Sequence, residues 1–262
     1  MNAAARPPRV VVTRPAAQAG DWLRRLHAAG VDAGALPLIE IFAARDRGAA
    51  VAAWQGLATR RLVFFVSPNA VLHFFAARPA KMAWPAGVVA AAPGPGSAEA
   101  LRQVGVPAAQ IVEPAADSAS FDSEAVWLRL REVADERDWR GTRALIVRGD
   151  GGRDWLAERL AEAGAEVDTL SAYRRAAPAF DGASRVLLDG LVDSVDTLWL
   201  FSSSEAIGHL EAAAGVGRLS GARAIATHPR IAARAREAGF GRVAEPAPGF
   251  DALVACIQSF QP

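Results

Sequence analysis

One stretch of this chain returns far downstream, and the distance to its return constrains the fold more than composition does. Arg9-Val-Val-Val-Thr-Arg14 resembles Arg143-Ala-Leu-Ile-Val-Arg148. Gly30 pairs with Gly164 and Leu36 with Leu170, 134 positions on (164 − 30). Phe65-Val-Ser-Pro-Asn-Ala-Val71 resembles Phe201-Ser-Ser-Ser-Glu-Ala-Ile207, now 136 on. Pro95 and Gly105 match Pro229 and Gly239, and Glu113-Pro114 echoes Glu245-Pro246. This period is too long for a solenoid and has the size of a domain. At about 150 residues per domain, a chain of 262 holds one large domain or two small ones, and the repeat favours two.

Within the repeat, short apolar β-branched runs alternate with stretches of helical period. The runs predict strands over Arg9–Thr13, Leu36–Arg45, Leu62–Val66, Val88–Ala92, Gln110–Glu113, Arg143–Val147, Glu166–Arg175, Thr197–Phe201, Ala222–Thr227 and Gly241–Ala244. Helices are predicted over Gly20–Ala29, Pro68–Ala77, Gly96–Val104, Asp122–Ala134, Arg153–Ala163, Ser204–Ala214, Pro229–Ala238 and Phe250–Phe260. The strands are apolar on both faces, which is the mark of a parallel sheet covered by helices on each side. The class is α/β, with two related doubly wound parallel-sheet domains. Leu36–Arg45 and Glu166–Arg175 occupy equivalent places and exceed the usual strand of ~5–6 residues, so they are read as a two-stranded connector that leaves a cleft between the domains.

Composition excludes several classes. The formal net charge is +1, which argues against a nucleic-acid or anionic-membrane partner. Lys81 is the sole lysine among 29 basic residues, and the arginines suit carboxylates through their two-pronged donor geometry. The single cysteine, Cys256, allows no internal disulfide. The opening Met1-Asn-Ala-Ala-Ala-Arg-Pro-Pro8 lacks the apolar core of a secretion signal, and no run approaches the roughly 18 apolar residues of a membrane span. A cytoplasmic protein is expected.

The candidate chemistry lies at strand ends. Thr13-Arg14-Pro15, Ser67-Pro68-Asn69, Arg148-Gly149-Asp150-Gly151-Gly152, Ser202-Ser203-Ser204 and Thr227-His228-Pro229 each stand between a strand and a helix. In an open α/β sheet the ligand crevice lies there, facing helix N-termini that favour anions. Simple N-capping is the competing reading for each site alone. Other motifs fail. The glycines after Arg148 lack the Lys-Ser/Thr of a phosphate loop, and Gly94-Pro-Gly96-Ser-Ala-Glu99 places Glu99 where a dinucleotide fingerprint needs a small residue. His27, His73, His209 and His228 have no metal-ligand spacing. Cys256 falls on an apolar stripe, Lys81 lies in a polar loop, and the tryptophans are scattered as packing residues. Tyr173, the only tyrosine, lies on the second connector, where a phenol could donate or accept a hydrogen bond.

Taken in order, these elements resemble the uroporphyrinogen-III synthase family. The carriers are Val12-Thr13-Arg14-Pro15, Leu36-Pro37-Leu38-Ile39-Glu40-Ile41, Phe65-Val-Ser67-Pro-Asn69, Pro93-Gly94-Pro95-Gly96-Ser97-Ala98 and Asp122-Ser-Glu124. Arg148-Gly149, Gly164-Ala165-Glu166-Val167, Tyr173-Arg174-Arg175, Phe201-Ser-Ser-Ser and Ile225-Ala-Thr227 complete the set, which spans nearly the whole chain. Ser97 stands where relatives usually carry threonine, and Glu205 where they carry a small or uncharged residue.

The resemblance implies closure of hydroxymethylbilane to uroporphyrinogen III, with inversion of ring D and loss of water. No cofactor and no metal are expected, a monomer is the default, and transient handover of substrate from hydroxymethylbilane synthase is a further expectation. The resemblance makes Tyr173 the proton donor to the leaving hydroxyl. It puts Thr13, Arg14, Ser67, Asn69, Ser97, Arg148, Gly149, Ser202, Ser203 and Thr227 against the substrate. Where the tandem repeat alone would cut the chain near residue 135, the resemblance implies one domain from 1–37 plus 176–262 and another from 42–168, with connectors at 36–46 and 166–177. Two alternatives remain open: a non-enzymatic two-lobed protein binding a small anion, and a nucleotide-sugar transferase, which would need a diphosphate or metal site.

Overall fold

The computed structural model describes residues 9–118, 120–133, 139–151 and 154–260. The opening residues 1–8, Gly152 of the glycine run, the expected helix end at Ala134 and the expected helix start at Arg153 lie outside these residues. In chain order the elements begin β1 (Arg9–Val12), α1 (Ala16–Ala28), β2 (Ala33–Ala35), β3 (Glu40–Ala43), α2 (Arg47–Gln55), β4 (Leu62–Phe65), α3 (Pro68–Ala76), β5 (Val89–Ala91) and α4 (Pro95–Gln103). There follow β6 (Ile111–Val112), α5 (Ser123–Val133), β7 (Arg143–Gly149), α6 (Trp155–Glu162), β8 (Glu166–Ala176) and α7 (Gly182–Val192). The chain closes with β9 (Thr197–Phe201), α8 (Ser204–Ala214), β10 (Arg223–Ala226), α9 (Pro229–Glu237), β11 (Arg242–Ala244) and α10 (Phe250–Gln258). No helix among the described residues is long and apolar enough to cross a membrane.

Two compact units result, one from Met1–Ile41 with Ala176–Pro262 and one from Phe42–Arg175. The first holds a five-stranded parallel sheet in the order β11-β10-β9-β1-β2. Past the polar residues that open four of them, Arg9, Thr197, Arg223 and Arg242, its strands are apolar because successive residues enter opposite cores. Val10, Val12, Leu198 and Leu200 pack with Leu26 of α1 and Leu253 of α10. Val11, Trp199 and Phe201 face the other way, onto Leu188 of α7, Leu210 of α8 and Ala235 of α9.

The second unit holds a six-stranded sheet in the order β3-β8-β7-β4-β5-β6, parallel from β8 through β6. Leu62, Phe64 and Ile146 meet Val126 and Leu130 of α5 and Leu156 and Leu160 of α6 on one face. An aromatic cluster belongs to this unit as well. Trp54 stacks on Phe74 with ring centres 4.8 Å apart, Phe65 meets Phe74 edge-on at 5.5 Å, and the Trp54 indole N–H donates to the Phe74 carbonyl at 2.8 Å. These rings and the buried Trp139 and Trp199 fill cores, as their scattered placement implied.

The expected strand Leu36–Arg45 is a correction. Only Glu40–Ala43 is strand, and a short strand at Ala33–Ala35 precedes it. The Leu36 N–H donates to the Val12 carbonyl and the Leu38 N–H to the Thr13 carbonyl, while Pro37 has no N–H to give. Leu36, Leu38 and Ile39 are thereby drawn into the first unit's core instead of extending along a ladder. The long strand β8 is present as read.

Candidate functional site

Sheet order decides where each unit can receive a ligand. In the first sheet the chain moves outward from β1 to β2, then returns to β9 on the other side of β1. The order therefore reverses between β1 and β9, and a crevice opens outside the carboxyl ends of strands at such a point. Thr13 and Arg14 follow β1, and Ser202 and Ser203 follow β9. In the second sheet the same reversal falls between β4, followed by Ser67 and Asn69, and β7, which ends in Arg148 and Gly149.

Arg14 is the most telling group of the first unit. Its guanidinium lies 4.6 Å from the centre of the Trp22 ring and donates to the Gln18 side-chain carbonyl at 3.3 Å, and no carboxylate among the described residues pairs with it. Burial pulls its pKa down to about 10, so it remains cationic at neutral pH. A sheltered cation without a counter-ion attracts an anion. Ser203 caps α8 by accepting the Glu205 N–H at 3.2 Å, and the Ser202 hydroxyl has no partner among the described residues. Thr227 is exposed just past β10, and its N–H donates to the Phe201 carbonyl at 3.1 Å. Thr13 requires a correction: it is 1 % exposed and its hydroxyl donates to the Leu200 carbonyl at 2.8 Å, so it fastens β1 to β9 from within.

The second unit builds a cradle around Tyr173. The β7–β8 ladder is irregular between Arg148 and Gly149, which sets Tyr173 opposite Gly149. The phenol ring fills the space a Gly149 side chain would take: a Cβ there would lie 2.8 Å from Tyr173 Cε2 and 2.9 Å from Cζ. The Tyr173 hydroxyl lies 3.0 Å from Ser67 Oγ, which also accepts the Ala70 N–H at 3.3 Å as the cap of α3. His73, on the same helix, stacks on the ring at 5.6 Å and 24°. Burial holds His73 below its ordinary value, so it sits there as a neutral imidazole. Tyr173 is thus enclosed, 3 % exposed, rather than open along a connector. At Gly149 it is the absence of a side chain that makes room for the Tyr173 ring.

Asn69 and Ser97 are 7 % and 4 % exposed, and neither side chain has a hydrogen-bond partner among the described residues. Their polar atoms still reach solvent, so they are open to hydrogen-bond a ligand oxygen. Arg148, expected as a substrate contact, is paired with Asp154 at 2.5 Å. The histidines have no metal-ligand spacing in the sequence, and His73 instead meets the site through the Tyr173 ring. Its signal is its position six residues past Ser67, on the helix that Ser67 caps.

Two α/β units, each built on a largely parallel sheet with polar groups at the point where strand order reverses, define a protein of twin doubly wound design. The uroporphyrinogen-III synthase HemD family model matches residues 20–255. The uroporphyrinogen-III synthase of Salmonella typhimurium is 32 % identical over 185 residues, covering 68 % of this chain and 69 % of that protein. That of Escherichia coli K12 is 30 % identical over 184 residues, with the same shares. Among solved structures, a mutant Thermus thermophilus uroporphyrinogen III synthase aligns with a TM-score of 0.57 at 17 % identity, covering 97 % of both chains. The Helicobacter pylori enzyme aligns at 0.55 and 15 %, covering 96 % of this chain and 99 % of its own. This chain belongs to the uroporphyrinogen-III synthase family, and the family is one of enzymes.

Proposed function

We propose that this protein closes hydroxymethylbilane to uroporphyrinogen III, inverting ring D and releasing water. The observation that carries the reading is the family match across residues 20–255. The geometry supports it by supplying cationic and hydrogen-bonding groups for a substrate rich in carboxylates, Arg14, Asn69, Ser97, Ser202 and Thr227 above all. Loss of the terminal hydroxyl gives an azafulvene. Attack at the substituted carbon of ring D gives a spiro intermediate, which fragments and recloses with that ring reversed. Unassisted closure gives the other isomer, so the protein's main task is to hold one conformer, and positioning contributes on the order of 7–11 kcal/mol at its best. The Tyr173 phenol, within hydrogen-bond reach of Ser67 Oγ, is the proton donor to the departing hydroxyl. Incubating the purified protein with the bilane and separating the oxidised isomers tests the reading. Predominance of isomer III is expected, and a mixture identical to the protein-free control would overturn it.

A further inference from the structure

The second unit carries a groove of about 480 Å³ beside the carboxyl end of β7, lined by Arg45, Asp46, Asp150, Thr169, Ser171 and Arg174 among others. A volume of this order suits a small-molecule site. Apart from Asp150, which belongs to the strand-end run after Arg148, these residues stand outside the candidate contacts, and the cradle of Tyr173 is built from different side chains. Two features make the lining unusual. Arg45 and Arg174 carry no ion pair among the described residues. Arg174 lies 5.3 Å from the centre of the Phe42 ring, and its Nε is enclosed with no acceptor. The acids of the groove do not neutralise them. Asp46 is occupied as the cap of α2, accepting the Gly48 N–H at 2.8 Å and the Ala49 N–H at 3.2 Å. The Asp150 carboxylate is exposed and has no partner among the described residues, although its backbone carbonyl accepts from Arg175 at 3.1 Å.

A simple anion would suit the arginines and be repelled by Asp150. A simple cation would face the reverse. A ligand that bears carboxylates and N–H donors on one frame satisfies both signs at once. A pyrrole with acetate and propionate arms is such a frame. We propose that this groove is a subsite for one pyrrole ring of the substrate, its carboxylates on Arg45 and Arg174 and its ring N–H on the Asp150 carboxylate. Ser171 and Thr169 offer hydroxyls to the remaining carboxylate oxygens. The inference rests on the function proposed above and names where part of that substrate is held.

The test uses the full chain with R45Q, R174Q, the double variant and R174K. Charge-assisted contacts of this kind predict a rise in KM for hydroxymethylbilane of about tenfold per arginine, with kcat held within about twofold. R174K should recover part of the loss, since it restores the charge but not the fork. In parallel, uroporphyrin III is titrated against tryptophan fluorescence, and its Kd should rise with KM. Because Arg45 is exposed, R45Q keeps the test valid if the Arg174 variants fold poorly. Unchanged KM and unchanged porphyrin affinity in R45Q and the double variant would overturn the subsite while leaving the reaction in place. If the wild-type protein makes no excess of isomer III, the functional reading fails, and the porphyrin titration still decides the groove.

Discussion

Gly149 and Tyr173 compete for one space, so the smallest residue of the site sets the position of its phenol. Gly149→Ala would place a methyl group 2.8 Å from the ring edge. The ring must move, overpacking of this kind costs about 1–3 kcal/mol, and the hydroxyl leaves Ser67. Chemical denaturation should show that loss, with turnover falling alongside; an unchanged midpoint and unchanged rate would mean the strand end yields freely. Tyr173→Phe tests the chemistry itself, because the ring and its stack on His73 survive while the proton donor is removed. General-acid assistance is worth about 10²–10⁴-fold, so turnover should fall within that range, isomer III should persist, and stability should drop by no more than the ~1 kcal/mol of one hydrogen bond. A wild-type rate would make the tyrosine structural. His73 adds a pH dependence. In the unfolded chain it takes up a proton near 6.5, while in the folded protein burial resists charging. Acidification therefore favours the unfolded state, so the stability His73 contributes is present at neutral pH and is eroded as pH falls through and below 6.5. Thermal midpoints from pH 7.5 to 5 should fall more steeply for the wild type than for His73→Phe.

At the scale of elements, the readable ones were those whose own side chains announce them. Thr197–Phe201 and Ser204–Ala214 fall at the expected boundaries, because four apolar residues after a threonine in one case and a serine cap in the other are local signals. Ala33–Ala35 was invisible: Ala-Gly-Ala has no strand preference of its own, and its ladder to Val10–Val12 creates it. Helix α2 was also missed, since Arg-Gly-Ala-Ala shows no clear stripe, and its start depends on Asp46 accepting two N–H groups. Asp46→Ala should therefore cost about 1 kcal/mol in denaturant unfolding, and no measurable loss would mean the helix is held by Trp54 packing alone. The candidate site was legible in the same limited sense. Polar residues at strand ends could be listed, but not their partners. Thr13 spends its proton on a carbonyl 187 positions away, Arg148 is taken by Asp154, and Tyr173 is placed by a glycine across a strand irregularity. Those choices depend on chain segments that only the fold brings together.

Across the whole molecule, the tandem repeat and the sheet orders fit together in one way. By sequence β1 corresponds to β7 and β4 to β9. The orders β2-β1-β9-β10-β11 and β8-β7-β4-β5-β6 are then the same order, these five strands in each sheet coming two from one repeat and three from the other, with β3 added at the edge of the second sheet. The two repeats have exchanged their opening strands. This makes a strong prediction about where the chain can be cut. A fragment of residues 42–175 keeps β4 through β8 in one continuous segment, with both flanking helices of its shared core, α5 and α6. It should unfold cooperatively on heating, with an α/β far-ultraviolet spectrum. A fragment of residues 1–135 follows the repeat yet splits both sheets. It strands β1 and β2 as an isolated pair and leaves β4 without its neighbour β7. A two-stranded pair is marginal in water, and the bare edge of β4, with Leu62, Phe64 and Phe65 beside it, is a template for aggregation. That fragment should show no cooperative transition and should associate at micromolar concentration. If it instead folds as a monomer with a sharp midpoint, the exchange of strands is dispensable and the repeat is its own folding unit.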